Sequence, residues 1–225
     1  MPDVTQRWRS ERLVAAIYDA GVKHDGVARV GAWAMWGADI RRMFADVERL
    51  ADAPVGAAVL DIPCGGGLAF RGLRPGQAVR YVAADISAYM LGQARQEADR
   101  RGVQDAIEFV EADVTALQFD DASFDLCLTY NGLHCLPDPH AALGELTRVL
   151  GPGGTLRGTS CVTGRGLRQD ALIAGLRRVG VFGNAPHTGD IDAWLTEFGL
   201  DVITVEPSGA IEFFEARLPS GEQAH

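Results

Sequence analysis

The stretch Val59-Leu60-Asp61-Ile62-Pro63-Cys64-Gly65-Gly66-Gly67 decides the fold, because an apolar run ends there in an acid and then in three glycines. The run from Ala57 to Ile62 has the length and composition of a short buried strand. Glycines that follow a strand let the backbone approach a ligand closely, since no Cβ stands in the way. Ligands of open α/β sheets bind outside the carboxyl ends of the strands. The stretch therefore predicts a ligand-binding turn, although a purely structural turn would have the same sequence.

Downstream of this turn, apolar runs alternate with segments of helical periodicity. The pattern predicts strands over Val79–Ala84, Ala106–Glu111, Phe124–Tyr130 and Thr155–Cys161, and helices over Ala88–Arg101, Pro139–Leu150, Leu167–Val179 and Ile191–Phe198. Such alternation indicates an α/β fold, a doubly wound and mostly parallel sheet with helices on both faces.

The end of the chain breaks this alternation. Leu200–Glu206 and Ala210–Leu218 are predicted strands joined only by Pro207-Ser208-Gly209. A parallel crossover needs about a dozen residues or more, so these two strands must be antiparallel. We therefore expect an antiparallel final strand.

The first fifty residues are predicted to be helical. Arg7–Ala20 carries apolar residues at helical spacing, and Gly21 with Lys23–Gly26 interrupts it before a second helix at about Trp36–Ala51. We expect an N-terminal helical cap over residues 1–54 and one sheet-containing domain over residues 55–218.

Acidic residues recur where the predicted strands end. Asp61 ends the first strand, Asp85 the second, and Asp113 follows the third. In nucleotide-binding α/β folds an acid at the position of Asp85 accepts hydrogen bonds from ribose hydroxyls. Asp113 could accept from an exocyclic amine, with Val114 packed on a purine. Each acid has an ordinary structural alternative, but three on one sheet edge favour a nucleoside site.

The overall composition narrows the class of partner. The formal net charge of −9 disfavours nucleic acid as a partner, because proteins bind nucleic acid through basic faces. The charge favours a small neutral or cationic substrate.

No apolar run reaches the ~18–20 residues that span a bilayer, and residues 1–12 lack a signal-peptide core. The four cysteines lack C-x-x-C pairing, which argues against disulfides and zinc. We expect a cytoplasmic protein without a membrane partner, a monomer or a homodimer.

From Val55 to Leu150 the chain resembles the class I S-adenosylmethionine-dependent methyltransferases, in particular the small-molecule type related to ubiquinone-biosynthesis enzymes. The resemblance implies a Rossmann-like fold and a cofactor site. It places in that site Asp61, Pro63, Cys64, Gly65 and Gly67 of the first motif, Asp85 and Ile86 of the second, Asp113 and Val114 of the third, and Tyr130 near the methionine end. Pro63 and Cys64 depart from the more usual glycine of the family motif.

The resemblance also implies a reaction: transfer of a methyl group from S-adenosylmethionine to an oxygen, nitrogen or carbon nucleophile of a small molecule. The expected route is in-line displacement without a metal, for which the protein mainly aligns the two reactants. An acceptor with an acidic proton needs a general base. His134 follows the fourth strand and is the candidate, with loop ordering or cofactor contact as the alternative.

Aromatic residues of the cap are candidate substrate contacts. Tyr18, Trp33 and Trp36 would line an acceptor pocket in the manner that the resemblance implies, or else pack the cap onto the sheet. Two other functions stay open. A cofactor-binding protein that is non-catalytic or depends on a partner would have the same motifs. A nicotinamide-dependent oxidoreductase is disfavoured, because the glycines lack G-x-G-x-x-G spacing.

Overall fold

The structure, a computed structural model, describes residues 25–221, with side chains described from Val30 onward. The predicted helix Arg7–Ala20 and the candidate substrate residue Tyr18 lie outside this range. Within the range no helix is long and apolar enough to cross a bilayer.

Seven strands of the described residues form one sheet in the order β3-β2-β1-β4-β5-β7-β6. The strands are β1 Ala58–Asp61, β2 Arg80–Asp85, β3 Ile107–Glu111, β4 Phe124–Tyr130, β5 Leu150–Cys161, β6 Asp201–Ser208 and β7 Ile211–Arg217. Strands β1 to β5 pair in parallel, and β7 lies antiparallel to both β5 and β6. Since the strand order reverses beside β1, the switch point at which ligands bind lies between β1 and β4.

Helices cover both faces of this sheet. In the described range they are α1 Asp25–Trp36, α2 Ile40–Glu48, α3 Ala88–Arg101, α4 Pro139–Val149, α5 Leu167–Arg178 and α6 Asp190–Glu197, with short 3₁₀ turns at Arg49–Asp52, Leu68–Gly72, Gln104–Ala106 and Leu133–Cys135. One apolar layer joins the sheet to α2 and α3, and a second joins its other face to α4 and α6. The predicted Rossmann-like, doubly wound fold with an antiparallel final strand is confirmed.

Local sequence signals account for the ends of α3. Ser87 caps it by accepting a hydrogen bond from the Met90 backbone N–H at 3.4 Å. Gly102 ends it in the left-handed region, with φ of 67°. The helix therefore starts and stops where the sequence predicts, which fixes the segment that follows β2.

Three predicted boundaries need correction. The predicted helix Trp36–Ala51 is interrupted at Gly37, whose φ is 68°, and Asp39 then caps α2 by accepting from the Arg41 N–H at 3.1 Å. Helix α1 includes Asp25 and Gly26, which lie inside the stretch Lys23–Gly26 that predicts a break. Strand β5 begins at Leu150, because the glycine-rich stretch after it is accommodated by a register shift against β4.

The glycines of the first motif lead into a short 3₁₀ turn, Leu68–Gly72. The division into a cap over residues 1–54 and a domain over residues 55–218 stays a prediction.

Candidate functional site

A cleft lies at the carboxyl ends of β1 to β4, with about 740 Å³ of empty space when the open solvent at its mouth is included. The predicted cofactor residues that line it are Pro63, Gly65, Asp85, Ile86, Asp113, Val114 and Tyr130. The other lining residues are Ile62, Met90, Ala112, Asn131, Gly132, Cys135, Leu136 and Pro137. The cleft therefore lies at the switch point and gathers most of the residues predicted to meet there.

The glycine turn is fastened to the end of the neighbouring strand. The Cys64 N–H donates to the Ala84 carbonyl at 2.8 Å, and the Gly65 N–H donates to Asp85 Oδ2 at 2.9 Å. Gly65 has φ of 53°, a left-handed conformation that glycine adopts without strain. The turn from β1 is thereby held against β2, and it forms one wall of the cleft.

Asp85 is buried at the centre of this arrangement. Its Oδ1 accepts from the Ser87 N–H at 2.9 Å, while its Oδ2 accepts from Gly65. Burial raises the pKa of Asp85 to about 6, against the opposing effect of backbone N–H donors from Ser87, Gly65 and Ile86. The two carboxylate oxygens together have about four acceptor sites, so Asp85 can still accept a hydrogen bond from a ligand hydroxyl.

Asp113 provides the second carboxylate of the cleft. Its Oδ1 accepts from both the backbone N–H and the hydroxyl of Thr115, at 3.0 and 2.7 Å. These bonds orient the side chain, and the Oδ2 atom is the oxygen left to accept from a ligand. Val114, buried beside it, gives the cleft an apolar surface at the same point.

The expectation that Asp61 faces the ligand needs correction. Asp61 does not line the cleft: it is buried, and its Oδ2 accepts from the Tyr81 hydroxyl at 2.8 Å. Burial raises the pKa of Asp61 to about 7, the Tyr81 bond opposes this, and the nearby Asp85 adds to it. Asp61 therefore lies outside the cleft lining, and its burial, together with the nearby Asp85, disfavours its charged form.

Cys64 and Gly67 also lie outside the cleft lining. The buried thiol of Cys64 is directed to the Gly65 carbonyl, 3.6 Å away. Gly67 has φ of 86°, and a Cβ there would come within 2.5 Å of the Phe70 ring. Both residues shape the turn from behind, so their predicted contact with a cofactor is not supported by the geometry.

Tyr130 ends β4 and lines the cleft, as predicted. Its hydroxyl donates to Asp46 Oδ2 at 2.6 Å. Burial raises the pKa of Tyr130 well above its usual value, the Asp46 carboxylate adds to this, and Arg157 opposes it. The hydroxyl is therefore protonated near neutral pH and acts as a donor to α2.

Asn131 and Gly132 are cleft residues that the sequence interpretation missed. Asn131 has φ of 55°, and its Oδ1 accepts from the Thr159 hydroxyl at 3.1 Å. A Cβ at Gly132 would come within 2.4 Å of Pro63 Cδ, so only glycine fits against the first motif. The Asn-Gly pair directly after a strand was the available signal, since it is typical of tight turns with positive φ.

The surroundings of His134 do not support a general base. It is buried, does not line the cleft, and its Nδ1 accepts from the Cys161 N–H at 3.0 Å. Burial lowers the pKa of His134 to about 3. The lone pair that would take a proton is thus already engaged in the interior, while the ring packs on Phe182 with centroids 4.3 Å apart. These contacts fit the alternative of loop ordering.

Neither tryptophan predicted to contact substrate lines the cleft. Trp33 is 73% exposed on α1. Trp36 stacks on Phe182, with ring centroids 5.8 Å apart and planes 13° from parallel. Trp36 therefore packs helix α1 against the segment that follows α5, a packing role in place of the predicted substrate contact.

Comparison with known proteins adds a family to this geometry. The family described as "Methyltransferase domain" matches residues 60–157. The methyltransferase GfsG of Streptomyces halstedii is 30% identical over 191 residues, which cover 78% of this chain and 67% of that protein. The chain belongs to the class I S-adenosylmethionine-dependent methyltransferases.

Two further similarities extend over different parts of this methyltransferase. The demethylmenaquinone methyltransferase of Thermus thermophilus is 40% identical over 126 residues, 54% of each chain. The solved structure of a geranyl diphosphate methyltransferase in complex with GPP and sinefungin has a TM-score of 0.65 at 18% identity and covers 96% of this chain and 97% of that one, which shows the fold. The chain spans about half the length, or somewhat less, of the quinone-biosynthesis relatives it matches.

Proposed function

We propose that the chain transfers a methyl group from S-adenosylmethionine to a small-molecule acceptor. The observation that carries this proposal is the pairing of Asp85 with the Gly65 turn at the rim of the cleft. This pairing places a carboxylate at the same strand ends as a glycine backbone that a ligand can approach closely. The family relationship supports the donor, and the names of the quinone and geranyl diphosphate relatives support acceptors of low molecular mass.

The residues of the cleft fit an adenosyl group by their chemistry. Asp85 offers acceptor oxygens that suit ribose hydroxyls, and Asp113 offers one that suits an exocyclic amine. Ile86, Met90 and Val114 add apolar surface to the lining of the same cleft, against which a purine can pack. We assign Asp85 and Asp113 as the polar contacts and these apolar residues as the adenine surface.

When bound, S-adenosylmethionine supplies a methyl group on a positively charged sulfur, and the sulfur leaves as a neutral thioether. The chain binds the two reactants, orients them and excludes water from between them. Holding them aligned removes much of the entropic cost of bringing them together. Tyr130 forms the wall at the predicted methionine end. Within residues 25–221 no group of three or more His, Cys, Asp and Glu side chains could hold a metal ion. Displacement without a metal stays a prediction.

We further propose that the acceptor is small and mainly apolar. Besides Tyr130, the cleft lining includes Gly132 and the segment Cys135-Leu136-Pro137, which carries no charged side chain. The net charge of −9 supports the expectation that nucleic acid is not the acceptor. Cytoplasmic location and a monomeric or homodimeric state stay predictions.

Isothermal titration with S-adenosylhomocysteine, the demethylated product, tests the cofactor assignment. We expect saturable binding at one site per chain, and no binding of NADH at the same concentrations. The opposite preference would reject the proposal and restore the nicotinamide alternative.

Turnover separates an enzyme from a non-catalytic binder. Release of S-adenosylhomocysteine can be followed in the presence of demethylmenaquinone and of smaller apolar hydroxylated aromatics. We expect acceptor-dependent release with at least one of them. A chain that binds cofactor yet releases no product with any acceptor, alone or with a partner, would be a cofactor-binding protein.

A further inference from the structure

Helix α2 of the cap contacts two consecutive residues of the cleft wall. The Tyr130 hydroxyl donates to Asp46 Oδ2 at 2.6 Å, and the Asn131 side-chain amide donates to Met43 Sδ at 3.2 Å. Met43 and Asp46 are three residues apart, so they lie on one face of the helix. The end of β4 is therefore supported from outside the cleft by a single helix face.

Asp46 is itself held from its other side. Its Oδ1 accepts from Arg49 Nη1 at 3.0 Å. Arg49 also binds both carboxylate oxygens of Glu215 on β7, at 2.6 and 3.0 Å. Each oxygen of Asp46 thus has its own donor: Oδ2 is bonded to the cleft wall, and Oδ1 is linked through Arg49 to the antiparallel strand β7. The carboxylate has little freedom to rotate while both contacts persist.

The Tyr130 side chain depends on this carboxylate for its polar contact. Tyr130 is 7% exposed, so its hydroxyl has little access to water. A buried hydroxyl without a hydrogen-bond partner is unfavourable, because it has lost its contacts with water. Loss of the Asp46 acceptor would therefore favour a different position of the ring, and that ring is a cleft wall.

We propose that Asp46 is a positioning residue for the methyl-transfer site: through Oδ2 it holds Tyr130 in place as the wall of the cleft. The inference rests on the proposed function, because it assumes that the cleft binds the cofactor. Asp46 touches neither the cleft nor the reacting atoms, and its effect passes through the Tyr130 hydroxyl. The cap helix thereby contributes to cofactor binding without contacting the cofactor.

A purely structural role is the alternative, in which Asp46 serves only as the partner of Arg49. Three substitutions separate the two roles. Tyr130→Phe removes the hydroxyl and leaves the Asp46–Arg49 pair. Asp46→Leu removes both contacts of the carboxylate. Asp46→Asn removes the negative charge beside Arg49 and keeps an oxygen that can accept from Tyr130, so it is the conservative rescue.

The measurement is the affinity for S-adenosylhomocysteine by calorimetry at pH 7.5, with circular dichroism and urea unfolding to verify that each variant is folded. We expect Tyr130→Phe and Asp46→Leu to weaken binding by about 3–10-fold each, the effect of one hydrogen bond. The double variant should be no weaker than either single one, because both remove the same contact. Asp46→Asn should stay within about twofold of the wild type, as should Asp52→Asn, a matched control at an exposed residue of the 3₁₀ turn that follows α2.

The outcomes distinguish this inference from the proposed function. If the wild type does not bind S-adenosylhomocysteine, the proposed function fails and the inference fails with it. If the wild type binds but Asp46→Asn is as weak as Asp46→Leu, the ion pair with Arg49 is what matters, and the inference alone is overturned. Additive losses in the double variant, or unchanged affinity in folded Tyr130→Phe, would overturn it as well.

Discussion

Gly65 and Asp85 are joined across 20 residues by one hydrogen bond, 2.9 Å from the glycine nitrogen to Oδ2 of the carboxylate. The bond ties the turn after β1 to the end of β2, so the two strand ends cannot separate without losing it. The carboxylate that fixes the turn is the one expected to bind the ribose. Shape and chemistry of the cleft therefore depend on the same side chain.

Removal of this carboxylate should weaken cofactor binding. We expect Asp85→Ala to raise the dissociation constant of S-adenosylhomocysteine about 5–150-fold, equivalent to roughly 1–3 kcal/mol, because ribose hydroxyls and the Gly65 N–H lose a charged acceptor. Calorimetry measures this, with the exposed Asp99→Ala on α3 as control. An unchanged dissociation constant in folded Asp85→Ala would show that the nucleoside binds elsewhere.

Two glycines should respond to alanine in opposite ways. At Gly132 a Cβ would meet Pro63 Cδ at 2.4 Å, so we expect Gly132→Ala to destabilise the fold by about 1–3 kcal/mol and to weaken cofactor binding. At Gly92, inside α3, nothing lies within 4 Å of the added methyl. Because alanine favours a helix more than glycine does, we expect Gly92→Ala to raise the free energy of unfolding by about 0.5–1 kcal/mol. Urea unfolding measures both. Equal effects at the two sites would contradict the described packing.

The buried carboxyl of Asp61 should make stability depend on pH. Its pKa is raised from 3.8 to about 7 in the folded chain, so folding favours the protonated form. This contribution is fully present below the unfolded value and is lost as pH rises towards 7. We expect Asp61→Asn, which can still accept from Tyr81, to gain stability relative to the wild type between pH 4 and 8.

Unfolding free energies of Asp61→Asn and the wild type, measured across that range, provide the comparison. Asp85 has a raised pKa in both proteins, so its contribution largely cancels in the difference. A difference that is independent of pH would mean that Asp61 is charged throughout and has a partner that compensates it.

His134→Ala should affect stability more than catalysis. The change leaves the buried Cys161 N–H without its acceptor and opens a cavity beside Phe182. We therefore expect the free energy of unfolding, measured in urea, to fall by about 2–4 kcal/mol. The folded fraction should retain methyl transfer within about tenfold of the wild type. A loss of about 10²–10⁴ in turnover with little change in stability would instead identify His134 as the base.

Local signals in the sequence were sufficient for the main elements. The run that ends at Asp61, the glycines after it, and the acid at Asp85 lie close together along the chain, so their meeting at one sheet edge follows from the rule for parallel strands. The antiparallel hairpin followed from a single fact, the short turn at Gly209. Both predictions depend on neighbours in sequence, where geometry is nearly determined.

The features that the sequence did not predict depend on contacts between segments that are distant along the chain. Tyr130 and Asp46 are 84 residues apart, and no local pattern pairs them. The orientation of Asp61 depends on Tyr81, which occupies the space behind the turn. For His134 the position after β4 was predicted correctly, but the 3₁₀ turn Leu133–Cys135 directs the ring into the interior. A position at the end of a strand does not determine whether a side chain points into the cleft or into the interior.

The described residues that line the cleft all fall between Ile62 and Pro137. The segment after Pro137 completes the sheet and backs the site, but it supplies none of that lining. The outermost strand β6, none of whose side chains is fully buried, can therefore accumulate substitutions with the cleft lining left intact. Strand β7 is buried between β5 and β6 and binds Arg49 through Glu215, so we expect variation within the family to concentrate on β6.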